Sequence, residues 1–299
     1  MILKIFVKNP FLRKIMTAVL SFFFGSSYNV LNICTTCNIL KRLKAYRDIM
    51  LASRNWENTD SILLRAQKGK HQGQRCFILC NGPSLNKTDL QKIKTEVTFG
   101  ANAIYLNYDR MGFYPTYYVV EDNLVAEDRA AEISKLDKVK IKFFPVRLSY
   151  CLKRDQKTIL LNHCPDFLRG KDNNFSPDIS KYTGGGNTVT YTCLQIAFYM
   201  GFNEIYIIGA DHDYKIPERY VERGKNENYI INSREDDVNH FCKEYFGNGY
   251  RWHNPKVHQM EDAYRNARKF LESNNVRVFN ATSGGHLEIF KRINFDRLF

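Results

Sequence analysis

A chain of 299 residues with 44% apolar side chains can bury a sizeable core, which excludes both a disordered tail and a disulfide-stapled miniprotein. Its formal charge of +13 comes from 44 basic and 31 acidic residues, yet the first 54 positions hold nine basic residues and one acidic, so the remainder is nearly balanced. That distribution speaks against a nucleic-acid protein, whose basic face spreads over the folded domain, and for contact with an anionic membrane surface.

The N-terminal stretch places Lys4, Lys8, Arg13 and Lys14 before the apolar run Ile15 to Phe24. That run is too short for the roughly 20 residues of a bilayer-crossing helix, so residues 1 to 54 read as a peripheral anchor, with a helix packed on the main domain and a signal peptide as alternatives. Cys34 and Cys37 form a lone CxxC with no second pair, and Cys76, Cys80 and Cys193 lie in apolar patterns, which fits reduced thiols in the cytoplasm at the inner face of the membrane. Lys41 to Ala52 reads as an amphipathic helix, followed by a polar connector near Asn55 to Gln74. Residues 1 to 70 are thus taken as a basic, partly helical extension and 71 to 299 as the main domain.

Arg75 to Cys80 is the first buried strand, running into Asn81-Gly82-Pro83-Ser84 before a helix expected near Lys87 or Thr88. A tight turn at a helix start offers backbone N–H groups and the positive helix end to an anion, so a phosphate is expected there. The turn has neither a P-loop ending nor the three-glycine dinucleotide fingerprint. Val97 to Ala101 delivers Asn102, and Thr116 to Val120 delivers Glu121, Asp122 and Asn123, to the same carboxyl edge; further strands are expected at Lys140 to Phe144 and Thr158 to Leu161. Gly184, Gly185 and Gly186 permit close approach of backbone to a ligand, and Asn187 or Thr188 caps an apolar helix that stops at Gly201. Glu204 to Gly209 is a β-branched strand that delivers Asp211 and Asp213. The polar stretch from 212 to 239 reads as a lid ending beside His240, after which come a helix over Lys256 to Glu272 and a last strand at Val276 to Asn280. Together these elements predict one Rossmann-like α/β domain with a mostly parallel, doubly wound sheet.

The NGPSL turn, Asn102, the helix leading to Gly-Phe-x-Glu-Ile-Tyr and the Gly-x-Asp strand end resemble the bacterial sialyltransferases of glycosyltransferase family forty-two. With the VVEDN, GGGNT and NATSGGHLE forms, Arg75 to Phe299 is still more similar to the MptE-like family. The resemblance implies a glycosyltransferase of surface-glycan synthesis that uses a CMP-sugar, with a nonulosonate such as sialic acid as the sugar. It assigns Asn81, Gly82, Pro83, Ser84 and Asn102 to the nucleotide, while Asp122, Gly185, Gly186, Asn187, Thr188 and Asp211 are placed in the same pocket by their position at the strand ends and the glycine turn. Tyr214 and Tyr220 are assigned to the departing phosphate and His240 to the general base. Partners are then the CMP-sugar and a glycan or glycolipid acceptor, with a homo-oligomer open and no cofactor required.

Two departures keep other readings open. Tyr182 to Thr188 stands where the sialyltransferases carry an Arg and a Ser, and Glu121-Asp122 where they carry an amide. Archaeal MptE-like proteins transfer diphosphate from ATP to a hydroxymethyl pterin, and Asp122, Asp211 and Asp213 are the carboxylates that would hold Mg²⁺ for that reaction. A non-catalytic nucleotide-binding module is the third reading.

Overall fold

Seven of the apolar runs expected as strands lie side by side in the computed structural model, which describes residues 59–164, 175–216, 221–222 and 230–299. The proposed anchor, the CxxC, the helix over Lys41 to Ala52 and Tyr220 lie outside the described residues. Among those described, no helix is long and apolar enough to cross a membrane.

In chain order the elements are helix α1 (Thr59–Arg65), β1 (Arg75–Leu79), β2 (Val97–Ala101), α2 (Tyr108–Met111), β3 (Tyr117–Val119), α3 (Asn123–Asp128) and α4 (Ala130–Ile133). They continue with β4 (Ile141–Pro145), β5 (Thr158–Leu161), β6 (His163–Cys164), β7 (Thr183–Gly184), α5 (Val189–Tyr199) and β8 (Glu204–Ile208). The last are β9 (Val221–Glu222), β10 (Ile230–Asn232), β11 (Arg251–His253), α6 (Val257–Ser273), β12 (Arg277–Asn280) and β13 (Lys291–Arg292).

The main sheet has eight strands in the order β13-β12-β8-β1-β2-β3-β4-β5, and all neighbours run parallel. Such a sheet is covered on both faces, and that is why runs like Arg75–Leu79 are apolar without alternation. Cys76 and Ile78 pack on one side with α5 and α6, while Phe77 and Leu79 pack on the other with Leu85, Val125 and Tyr245. Helix α5 is buried at nine of its positions because it is wedged between the sheet and α6, so it is apolar all round rather than on one stripe.

The chain lays down β1 to β5 in one direction, then returns to place β8 against the opposite side of β1. Ligands of open α/β sheets bind at such a reversal, beyond the carboxyl ends of the strands, so this fold puts the site between the ends of β1 and β8.

Three expectations change. The connector over Asn55 to Gln74 contains α1, whose Asp60 accepts from the Leu160 N–H of β5 at 2.9 Å and pairs with Arg154 at 2.7 Å, so it belongs to the folded body. No α-helix opens at Lys87; Pro83–Lys87 and Leu90–Ile93 are short 3-10 turns, because Pro83 and the Asp89 cap break the segment into pieces too short to continue. The stretch expected as a lid contributes β9 and β10 to a three-stranded antiparallel ribbon with β11 instead of remaining a plain loop.

Candidate active site

Asp211 leaves β8 and reaches across to the turn after β1, where its Oδ2 accepts from the Ser84 N–H at 3.1 Å and the Ser84 hydroxyl at 2.7 Å. Gly82 lies against it so closely that a Cβ there would come within 1.9 Å of Asp211 Oδ2 and 2.7 Å of the Gly209 carbonyl. The turn therefore differs from the expected phosphate cradle. Its Gly82 N–H is given to Gly209, its Leu85 N–H to Gly82 and its Ser84 N–H to the Asp211 carboxylate, while Pro83 has none. An internal anion takes the donors that an external one was expected to find.

Beyond this clasp a cavity of about 340 Å³ opens, lined by Asn81, Gly82, Asn102, Asp122, Asn187, Thr188, Asp211, Asp213, Tyr214 and His240 among the residues expected from sequence. Pro83, Ser84, Gly185 and Gly186 are not among its lining residues. The glycine turn is explained by packing: a Cβ on Gly186 would meet the Tyr191 ring at 2.5 Å, and the buried Gln195 amide holds both the N–H and the carbonyl of Gly184. Thr188 caps α5, and its hydroxyl lies 3.2 Å from that of Tyr264. Asn102 takes a left-handed φ of 50° at the end of β2, and the side-chain oxygens of Asn81 and Asn102 are buried without a protein partner. Buried amide oxygens ordinarily find a donor, so these two acceptors are consistent with a polar ligand in the cavity.

His240 is held by three contacts. Its Nδ1 is 2.7 Å from Asp237 Oδ2, its ring stacks on Tyr245 at 3.9 Å, and Phe246 meets it edge-on. Burial raises the Asp237 carboxyl, but the hydrogen bonds from His240 and from the Asn239 and Phe246 N–H groups outweigh it and bring the pKa below the usual carboxylate value. A carboxylate on Nδ1 fixes the tautomer and leaves Nε2 as the nitrogen for a substrate. The loop carrying the pair is bound back to the sheet, since the Phe241 N–H donates to the Asn81 carbonyl and Asn86 donates to that of Phe241. Arg129, almost fully buried, donates to the carbonyls of Glu244 and Tyr245 and stacks on Tyr250.

Burial pushes the Tyr214 and Tyr264 phenols well above their ordinary value, so both line the cavity as neutral hydroxyl donors. His212, also at a left-handed φ, is lowered by burial, which outweighs the raising effect of the Glu261 carboxylate 3.4 Å from its Nε2. Asp122 caps α3 through the Leu124 and Val125 N–H groups and lies 3.6 Å from His253 on β11. The carboxylates expected for a metal are thus engaged or apart: Asp122 in a cap, Asp211 in the clasp, Asp213 exposed. Among the described residues no three His, Cys, Asp or Glu side chains converge on one point.

Sequence reasoning missed Asp237, Arg147, His253, Lys256 and Tyr264, all tied to this cavity. Only Asp237 carried a local signal, an acid three residues before the His. The others come from β4, β11 and α6, brought in by the sheet order.

A family model described as "6-hydroxymethylpterin diphosphokinase MptE-like" matches residues 53–217, more than half of the chain. The chain belongs to the MptE-like family. No curated protein matches it. A similar solved structure is the MAf glycosyltransferase from Magnetospirillum magneticum AMB-1, at 16% identity and a TM-score of 0.46, with 79% of this chain and 38% of that one covered. The MptE-like chain therefore spans well under half of that neighbour's length.

Below the MptE-like cavity, buried His163 on β6 makes a pH prediction. Its Nδ1 meets the Thr183 hydroxyl at 3.1 Å, and burial, with the Arg147 charge, lowers its pKa to about 3. Glu121 Oε2 at 4.0 Å is too distant to reverse this. The unfolded side chain binds a proton below about 6.5 and the folded one does not, so this group's contribution is intact above that pH and is lost as pH falls towards 3. The loss approaches ~1.4 kcal/mol per pH unit. Denaturant unfolding of wild type and His163→Gln between pH 7 and 4 should show a shallower dependence in the variant, and parallel curves would contradict it.

Proposed function

We propose that the protein is a glycosyltransferase that uses a CMP-sugar with an acidic, nonulosonate-type sugar and acts in surface-glycan synthesis. The observation that carries this reading is the His240–Asp237 pair facing a cavity at the β1/β8 reversal, with phenols and amides around it. In the proposed step an acceptor hydroxyl attacks the anomeric carbon, its proton passes to His240 Nε2, and the bond from that carbon to the phosphate oxygen breaks with its electron pair leaving on CMP. Asp237 stabilises the imidazolium that forms. Tyr214 and Tyr264 donate to the phosphate as its charge grows, with Tyr220 expected to join them. Asn81 and Asn102 supply acceptors for donors on the nucleotide, while Ser84 acts through Asp211 by keeping the two strand ends clasped. Residues 1 to 54 are proposed to hold the protein against the anionic inner face of the membrane, near a glycan or glycolipid acceptor.

The family's description favours a second reading, transfer of diphosphate from ATP to a hydroxymethyl pterin. Ligand binding raises apparent stability by mass action, so unfolding temperatures with CMP, CDP and ATP, each with and without Mg²⁺, separate the two. CMP is expected to stabilise without metal. A response confined to ATP with Mg²⁺ supports the diphosphokinase instead.

A further inference from the structure

Arg147 follows β4 and lines the same cavity, where neither the nucleotide nor the base requires it. Its Nη2 donates to the Glu121 carbonyl, which pins the guanidinium across the carboxyl ends of β3 and β4. Its Nε is buried and has no partner, and it forms no ion pair with any carboxylate of the described residues. Nearby acids are engaged: Glu121 Oε2 accepts from the Thr192 hydroxyl, and Asp122 caps α3 and faces His253. A half-buried cation left without a counter-charge costs stability, and it is tolerated where a ligand supplies the anion. Its charge adds to burial in lowering the pKa of the neighbouring His163.

We infer that Arg147 anchors an oxyanion subsite that takes the carboxylate of the donor's acidic sugar. The inference rests on the transferase reading above and deepens it. Position argues for the sugar rather than the nucleoside, because β4 stands three strands from β1 in the sheet, about 14 Å at the usual strand spacing. A nucleoside seated at the β1/β8 reversal directs the group it carries towards that end of the cavity. The guanidinium fork matches a carboxylate through two parallel hydrogen bonds, which a lysine cannot reproduce.

Thermal unfolding of wild type, Arg147→Gln and Arg147→Lys tests this with CMP, CMP-N-acetylneuraminate and inorganic phosphate as probes at matched ionic strength. Wild type should respond more to CMP-N-acetylneuraminate than to CMP. Arg147→Gln should keep the CMP response and lose the increment, a fall of about tenfold or more in affinity for the nucleotide-sugar, and Arg147→Lys should recover only part of it. Equal responses to both ligands in wild type, or an increment that survives in Arg147→Gln, overturn the subsite while leaving the CMP reading in place. If wild type ignores CMP altogether, that reading fails and the phosphate arm decides. Phosphate in place of chloride should then raise the unfolding temperature of wild type and leave that of Arg147→Gln unmoved, and equal rises overturn the inference.

Discussion

His240→Ala is expected to lower the rate of transfer by ~10² to 10⁴, the usual contribution of a general base, while nucleotide affinity stays nearly unchanged. The expectation follows from what holds the ring. Its Nδ1 is committed to Asp237 at 2.7 Å and one face is committed to Tyr245, so the side chain is set in one orientation with Nε2 available. None of those contacts holds the clasp at the strand ends, which depends on Asp211, Ser84 and Gly82. Asp237→Asn should reproduce part of the loss, since an amide no longer stabilises the imidazolium. Single-turnover rates with saturating donor measure both variants. A transfer rate within about threefold of wild type in His240→Ala is far below what loss of a general base gives and would remove the residue from the chemistry.

Arg251→Met is expected to destabilise the fold by roughly 3 kcal/mol, because it removes one side of a buried charge cluster and leaves the other in place. Arg251 reaches Asp128 through Nε at 2.9 Å and Glu127 through Nη2 at 3.0 Å, and its own N–H donates to Asp128 at 2.9 Å. The side chains of Glu127 and Asp128 are only 6% and 15% exposed, so water cannot replace the lost cation. Arg251 itself is partly exposed, which places the estimate at the low end of measured losses for buried pairs. These contacts dock the ribbon of β9, β10 and β11 on α3 and so bring His253 to Asp122. Urea unfolding measures the effect, and a change below about 0.5 kcal/mol would mean that the cluster does not hold the ribbon.

The sheet was legible because parallel strands buried on both faces leave apolar runs, and residues 76–79, 159–161 and 205–208 are such runs behind a polar first residue. Strand ends followed by Asn81, Asn102, Asp122 and Asp211 then converge by topology alone. What stayed hidden depends on long-range pairing. The Ser84–Asp211 contact spans 127 positions, and it turns an expected phosphate turn into an internal clasp. Arg147 carries no local signal, because its place in the cavity follows from β4 lying beside β3 and from the Glu121 carbonyl that pins it. The ribbon was hidden for another reason: β9 and β10 are two and three residues long, too short for a period-two pattern to stand out in a polar stretch.

Metal-free transfer from a CMP-activated donor, proposed for the cavity at the β1/β8 reversal, releases CMP as its product. Wild-type protein incubated with CMP-N-acetylneuraminate in the presence of EDTA should liberate CMP in a time-dependent reaction that His240→Ala slows by the factor given above. Absence of CMP release, together with AMP formation from ATP, Mg²⁺ and 6-hydroxymethylpterin, would contradict it.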